Sequence, residues 1–350
     1  MFPAEVILAA VPRQLPDRHR RGLQPDMTIS IISTIDRDYR VPFEVLAWSL
    51  LCAKHRETAA EWHVFIDEDG GGWDAWLDEL GARHRERRAS FLLHRLPGIS
   101  GLPLALRGHA RPIMYARLLA PARLAPPPGR VLYLDADALV LAPIEDLWSA
   151  DLGPHACGCC QDLAVPLVSS PIAIPRYGAL GFARDAPYFN AGVMLIDTAA
   201  WREQAVEASA LAYIAEHRER LNLFDQEALN AALRGGWHQL SVRWNLVASV
   251  AGRPFLGTKG IRQDDYAASL SAPSLLHFAG ALKPWRNPFL RGRWSELYRA
   301  ALAQARPGHR FETGLKRRLE AAYDARLRNL VYPLERAAWL ARRGTWIGER

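Results

Sequence analysis

No stretch of the 350 residues approaches the roughly 18–20 consecutive apolar residues of a membrane span. The apolar run at residues 6–11 is shorter than a signal-peptide core, and its arginines follow it instead of preceding it. A cytoplasmic protein is therefore expected, with residues 1–26 as a loosely ordered extension and Met27 as a candidate natural start. Cysteine is scarce: Cys52 stands alone, and Cys157, Cys159 and Cys160 crowd together without the second C-x-x-C pair of a zinc site. Buried reduced thiols are the simpler reading of that cluster, with metal or redox chemistry the other. No internal repeat is visible. Net charge is nearly absent from the body of the chain. Residues 306–350 hold 11 Lys and Arg against 5 acidic residues, which is six of the chain's net +7. That argues against a nucleic-acid-binding core.

What is present is an alternation of strand, loop and helix. Thr28-Ile29-Ser30-Ile31-Ile32-Ser33-Thr34 is a β-branched first strand, and Asp36-Arg37-Asp38-Tyr39 form its loop. Helical apolar spacing follows over residues 43–52. A strand at 62–66, a helix around 73–80 and a strand near 90–94 come next. Further strands are expected near 155–160, 192–196 and 274–278. This pattern predicts an α/β fold with a mainly parallel central sheet.

The chain is organised around Arg130-Val131-Leu132-Tyr133-Leu134-Asp135-Ala136-Asp137. An unbroken apolar run after Pro126-Pro127-Pro128-Gly129 reads as a buried strand of a parallel sheet. Ligands of open α/β sheets sit beyond the carboxyl ends of the strands, where Asp135 and Asp137 fall. If the chain leaves strand geometry there, both carboxylates can face one Mg²⁺ or Mn²⁺. The plainer alternative is a pair of exposed turn-forming aspartates.

Other segments carry chemistry of their own. Arg117 is the one charge in Ile113-Met114-Tyr115-Ala116-Arg117-Leu118-Leu119. It is either a buried paired arginine or a guanidinium clamp for phosphate or carboxylate. Asn190-Ala191-Gly192 puts small residues ahead of a strand, where something can approach the backbone closely. Asp225 fits a helix N-cap or a site carboxylate. His277-Phe278-Ala279-Gly280-Ala281-Leu282-Lys283-Pro284-Trp285 combines an imidazole, a glycine and a lysine, suited to a diphosphate beside a metal.

Taken in order, these motifs resemble glycosyltransferase family 8, which includes bacterial lipopolysaccharide galactosyl- and glucosyltransferases and glycogenin-like enzymes. The resemblance runs from about Ile29 to Trp285. It rests on Leu-Tyr-Leu-Asp-Ala-Asp, Tyr115-Ala-Arg117, Phe189-Asn-Ala-Gly-Val, Asp225-Gln226 and His277-x-x-Gly280-x-x-Lys283-Pro-Trp. It implies a GT-A fold and a metal-dependent, retaining transfer of a hexose from a UDP-sugar to a saccharide or lipid-linked acceptor. Asp135, Asp137 and His277 then match the ligands of Mn²⁺ (or Mg²⁺). Asp36, Asp38, Tyr39, Arg117, Asp135, Ala136, Asn190, Ala191, Gly280 and Lys283 match donor-binding positions. Relatives often show Asp-x-Asn-Tyr where this chain has Asp36-Arg37-Asp38-Tyr39. Asp225, Gln226 and Arg117 match positions at the reacting sugar, and His109 an acceptor contact. Gln226 is a poor nucleophile, which disfavours a double displacement through it.

Two other function classes fit paired aspartates on a nucleotide-binding sheet. A sugar nucleotidyltransferase would need a Gly-rich basic loop after the first strand, and none follows Thr34. A non-catalytic nucleotide-sugar-binding relative would have no need of Asp135, Asp137, His277 and Lys283 together. The expected domains are the extension (1–26), the GT-A domain (27–300) and a basic amphipathic tail (301–350). In that tail Phe311, Leu315, Leu319, Ala322, Leu327 and Leu330 recur at near-helical spacing, and Trp339 and Trp346 follow among Arg342 and Arg343. Such a segment suits an anionic membrane face, giving a peripheral association. Alternatively the stripe packs on the domain.

Overall fold

In the computed structural model, the structure describes residues 27–67, 71–96, 99–102, 104–105, 111–251, 260–280, 282–311 and 313–326. His109, the 1–26 extension, Leu327, Leu330, Trp339 and Trp346 lie outside the described residues.

Seven strands build the main sheet: β1 (Thr28–Thr34), β2 (Ala59–Ile66), β3 (Ala89–Arg95), β4 (Arg130–Leu134), β6 (Cys157–Gln161), β7 (Phe189–Asp197) and β8 (His238–Leu240). Their order is β3-β2-β1-β4-β7-β6-β8. All pairings are parallel except the two made by β7, which runs against β4 and β6. The sheet is thus mainly parallel, as the apolar runs predicted. Both faces are covered, and successive residues of β4 alternate between two cores. Val131 and Tyr133 pack into one, Leu132 and Leu134 into the other, all fully buried. A strand buried on both faces has no polar side to show, which is why its sequence reads as a continuous apolar run.

On one face lie α3 (Ala116–Arg123), α5 (Thr198–Glu203), α6 (Val206–His217) and α7 (Phe224–Leu233). On the other lie α1 (Arg40–Ala53), α2 (Trp73–Arg83) and α4 (Glu145–Trp148). The three crowded cysteines sit in β6 and are buried and reduced, with Cys157 and Cys159 sulfurs 3.7 Å apart. Burial pushes the thiols of Cys159 and Cys160 up, so neither is a ready thiolate.

A second, three-stranded sheet was not anticipated. It consists of β5 (Ala138–Val140), β10 (Leu275–His277) and β9 (Leu246–Val247), with β10 in the middle. Val45 of α1 packs toward this sheet while Phe43, Leu46 and Leu50 pack toward the large one. Helix α1 is therefore shared between them. Beyond α8 (Gln263–Ser271), α9 (Arg293–Ala305) closes the third core with Leu297, Tyr298, Ala301 and Leu302. The border expected at residue 300 falls inside α9. Arg306 then reaches the buried carboxylate of Glu44 at 2.6 Å.

Helix α10 (Leu315–Arg326) is the last described element of the basic tail. It touches the domain through polar groups: Asn287 donates to the Arg317 carbonyl at 2.7 Å and to Glu320 at 3.2 Å, and Arg318 lies over the Phe289 ring. Leu315, Leu319 and Tyr323 are 72%, 61% and 62% exposed. Phe311, by contrast, packs against the third core. The stripe thus parts company with the domain at residue 315.

Candidate functional site

Strand β4 ends at Leu134, and β5 starts at Ala138 in the other sheet. The three residues between them form a turn closed by Ala138 N–H donating to the Asp135 carbonyl at 3.1 Å. That departure from strand geometry lets Asp135 and Asp137 face the same side. The antiparallel register of β10 on β5 sets His277 opposite Ala138, and Phe278 N–H donates to the Asp137 carbonyl at 2.9 Å. His277 Nε2 consequently lies 3.6 Å from Asp135 Oδ2 and 3.3 Å from Asp137 Oδ1. One ligand atom from each of the three lies within 4.8 Å of the others. Ligands at about 2.1 Å from one cation and at right angles stand about 3 Å apart, so the spacing suits a small divalent ion. Two carboxylates and an imidazole are also a donor set such an ion accepts.

Gly192 makes the convergence possible. A Cβ there would overlap His277 Cε1 and come within 2.8 Å of its Nδ1 and 2.9 Å of Asp135 Oδ2. The small-residue signal in Asn190-Ala191-Gly192 is therefore accounted for by close approach of site side chains. The segment lies inside β7, which begins at Phe189, three residues before the expected strand.

Behind Asp135 sits Arg117. Its Nη2 donates to Asp135 Oδ1 at 2.8 Å, its Nη1 to the Ala191 carbonyl at 3.0 Å, and its Nε pairs with Asp225 at 2.8 Å. Tyr133 O–H adds a second donor to Asp135 Oδ1 at 2.9 Å. Burial alone would lower the Arg117 pKa, but Asp135 and Asp225 outweigh it and hold it above the ordinary value. Arg117 is thus a buried, paired arginine, and the carboxylates it clamps here are the protein's own. Asp225 is 3% exposed, and burial pushes its pKa up to about 6 despite Arg117.

Asp225 is not the N-cap of its helix. Helix α7 starts at Phe224, which adopts a left-handed φ of 48° that is costly for a bulky residue. The carboxylate that serves the helix start is Glu227, which accepts from Asn222 N–H at 2.8 Å and Leu223 N–H at 3.2 Å. Of the two readings open for Asp225, the N-cap is thus excluded; Asp225 and Glu227 stand two apart at the helix start, and only the backbone shows which one turns back.

On the other side of Asp137, Lys283 Nζ lies 2.6 Å from Oδ2 and donates to the Phe278 carbonyl at 2.9 Å. Its ammonium lies over the rings of Trp285 (5.2 Å) and Tyr39 (5.6 Å). Burial would lower the Lys283 pKa, and Asp137 and Tyr39 together more than offset it. Gly280 has φ +95° and an open surface around its α-carbon. The backbone conformation, not crowding, demands glycine there. Asp36 and Asp38 line a cleft of about 360 Å³ with Arg37, Asp67, Arg111, Pro112 and Ile113. Asp38 also pairs with Arg286 at 3.2 Å, tying this loop to the segment after Lys283. Burial, then the Asp38 charge, raises the Asp36 carboxyl.

Of the remaining expected residues, Ala136, Asn190 and Ala191 are buried and Gln226 is half-buried. Ala136 is buried in the core. Asn190 donates to Asp162 at 2.9 Å, and Ala191 N–H donates to Gln226 Oε1 at 3.1 Å. Gln226 Nε2 donates to Asp162 at 3.1 Å. Tyr133 was read only as part of the apolar strand and its motif, not as a partner of Asp135; Asp162 and Asn245, whose Oδ1 lies 3.0 Å from His277 Nδ1, carry no local sequence signal beyond their types, and the reading of the sequence missed both.

Residues 31–288 match the sequence profile described as Glycosyl transferase family 8. The chain belongs to that family. Over 160 residues it is 31% identical to General stress protein A of Bacillus subtilis, covering 45% of this chain and 53% of that protein. Over 169 residues it is 28% identical to Glycosyltransferase GlyF of Streptococcus pneumoniae, covering 48% of this chain and 37% of the relative. The chain thus spans about half or less of the length of these curated relatives. Among solved structures, the galactosyltransferase LgtC in complex with donor and acceptor sugar analogues superposes with a TM-score of 0.64 at 24% identity, covering 83% of this chain and 99% of that one. The bifunctional glycosyltransferase WbbM gives a TM-score of 0.63 at 17% identity, covering 80% of this chain and 50% of that one. At these identities the likeness is one of fold, and it matches the GT-A expectation for a family 8 chain.

Proposed function

We propose that this family 8 chain is a metal-dependent retaining glycosyltransferase that moves a hexose from a UDP-sugar to a saccharide or lipid-linked acceptor, as in cell-surface glycan synthesis. The observation that carries the reading is the convergence of Asp135, Asp137 and His277 from two separate sheets. Family membership supports it over a sugar nucleotidyltransferase. Asp135, Asp137 and His277 would hold Mn²⁺ or Mg²⁺, which when bound offsets the negative charge of a donor diphosphate. The cleft at Asp36 and Asp38, with Tyr39, takes the nucleoside. Gly280 offers unobstructed backbone and Lys283 a positive charge to the phosphates.

In the transfer, the bond from the anomeric carbon to the β-phosphate oxygen breaks and its electron pair leaves with UDP. The acceptor oxygen bonds to the same carbon, and its proton passes to the departing diphosphate. Lys283 stabilises the charge that builds there. Gln226 has both ends of its amide engaged and Asp225 is locked to Arg117, which supports departure and attack on one face over a covalent enzyme intermediate. Arg117 and Asp225 hold Asp135 in place, and Asn190, Ala191 and Gln226 form the wall beside the sugar. His109 remains the proposed acceptor contact.

The test is UDP release from a panel of UDP-sugars with Mn²⁺, with and without acceptors, on the wild type and Asp137→Asn. Metal-dependent release that is abolished in a folded Asp137→Asn chain is expected. Retention of near-normal activity by that variant would remove the metal assignment. Among the described residues, no helix is long and apolar enough to cross a membrane. We propose a peripheral contact at the inner membrane face through the exposed stripe of α10.

A further inference from the structure

His277 has two ring nitrogens, and a metal ligand needs one of them stripped of its proton and aimed at the cluster. Which one is settled in this fold by a relay of side-chain amides whose direction can be derived from groups that have no choice. Gly192 N–H can only donate, and it donates to Asn190 Oδ1 at 3.0 Å. At the other end of the same amide, Asn190 Nδ2 faces Asp162 Oδ2 at 2.9 Å. That carboxylate also receives Gln226 Nε2, and its other oxygen receives Ala164 N–H at 2.7 Å and Val165 N–H at 3.0 Å. The amide of Asn190 is thereby pinned at both ends, with its oxygen toward Asn245.

Asn245 must answer that oxygen with a donor, and its Nδ2 lies 2.9 Å from it. The oxygen of Asn245 is then left facing His277 Nδ1 at 3.0 Å. An oxygen acceptor requires a proton on Nδ1. In the neutral ring Nε2 must therefore carry the lone pair, and Nε2 is the atom that faces Asp135 and Asp137. Asn245 is only 1% exposed, so bulk water does not compete for either partner. Its position comes from the fold: Asn245 ends a short 3-10 turn (Val242–Trp244) and leads directly into β9, which pairs with β10 beside His277.

We infer that Asn245 is a positioning residue that fixes His277 as the Nδ1–H tautomer and so presents Nε2 to a cation held by Asp135 and Asp137. The inference rests on the metal reading proposed above for what Nε2 binds, but the tautomer is a property of the metal-free chain. Partners of this kind on a ligating histidine are typically worth about 10–100-fold in metal affinity.

The experiment uses the full chain, as wild type, Asn245→Ala and Asn245→Leu, the last keeping the branched shape and number of heavy atoms while removing both hydrogen bonds. Long-range ¹H–¹⁵N spectra of the histidine rings are recorded without metal, at a pH where the rings are neutral, with His277 assigned by its loss in His277→Gln. Mn²⁺ affinity is measured separately from the electron paramagnetic resonance signal of free Mn²⁺. The wild type should show Nδ1–H at His277, and the variants should bind Mn²⁺ about 10–100-fold more weakly. An Nε2–H tautomer in the wild type overturns the inference. So does a folded Asn245→Leu chain that binds Mn²⁺ within twofold of the wild type. If neither variant folds, the wild-type tautomer alone decides. A wild type that binds no Mn²⁺ counts against the metal reading, while the spectrum still judges the role of Asn245.

Discussion

Lys283 Nζ and Asp137 Oδ2 stand 2.6 Å apart, so the positive group proposed for the donor phosphates is paired with a proposed metal ligand. The aspartate keeps its other oxygen toward His277. Lys283→Ala should lower kcat by about one to three orders of magnitude, the scale for losing one preorganised charge-stabilising contact. Steady-state kinetics alongside thermal unfolding check it. A loss of stability with an unchanged kcat would make Lys283 structural.

Gly192→Ala places a methyl group where His277 Cε1 lies. Either His277 or β7 must shift, and β7 is paired on both edges. Misplacement of a site by about 1 Å costs about 10²-fold in rate, so a loss of that order is expected. A variant within threefold of wild-type kcat/KM would show that the cluster tolerates the displacement.

Glu44 is a stability hub. Its carboxylate is 1% exposed and takes Arg306 and the Trp76 indole on one oxygen, and Arg83 on the other. Removing it leaves the half-buried Trp76 indole N–H without this acceptor and breaks the ionic tie from the end of α9 to α1 and α2. The arginines are partly exposed, so the cost should be smaller than for a fully buried pair, about 2–3 kcal/mol for Glu44→Ala. Urea denaturation measures it, and a change below about 0.5 kcal/mol, the range of ordinary surface substitutions, would contradict the assignment.

His84 ends α2, and burial, then Arg83 and Arg87, pushes its pKa down to about 4. The unfolded chain takes up this proton near 6.5, the folded chain only near 4. Stability tied to the neutral ring is therefore complete above pH 6.5 and is lost as the pH falls toward 4. The melting temperature of wild type minus that of His84→Gln should decrease steadily across that window. A constant difference would refute the linkage.

The exposed stripe of α10 predicts salt-sensitive binding to anionic vesicles, with the basic residues drawing the helix in and the apolar ones anchoring it. Replacing Leu315, Leu319 and Tyr323 by serine in the full chain should abolish sedimentation with anionic vesicles while leaving UDP release on soluble acceptors intact. Equal sedimentation of both proteins would remove the membrane role.

Strand β4, the turn at Asp135 and Asp137, and the mainly parallel sheet were legible in the chain because each is written locally. An apolar run between turn residues needs no knowledge of its neighbours to read as a two-sided buried strand. The tight glycine segment at Gly192 and the basic character of the tail were readable for the same reason. Three things were not. The meeting of His277 with Asp137 was expected only through the resemblance to family 8, because it depends on β10 pairing with β5 in a separate small sheet, a non-local choice between strands of three residues each. Arg117 faces Asp135 and Asp225 because a buried guanidinium must find carboxylates, and folding alone settles which ones lie within reach. The stripe of α10 turns outward because Asn287 and Phe289 engage its polar face. Helical spacing reports that a stripe exists, but the direction it faces is set by what the rest of the fold leaves beside it.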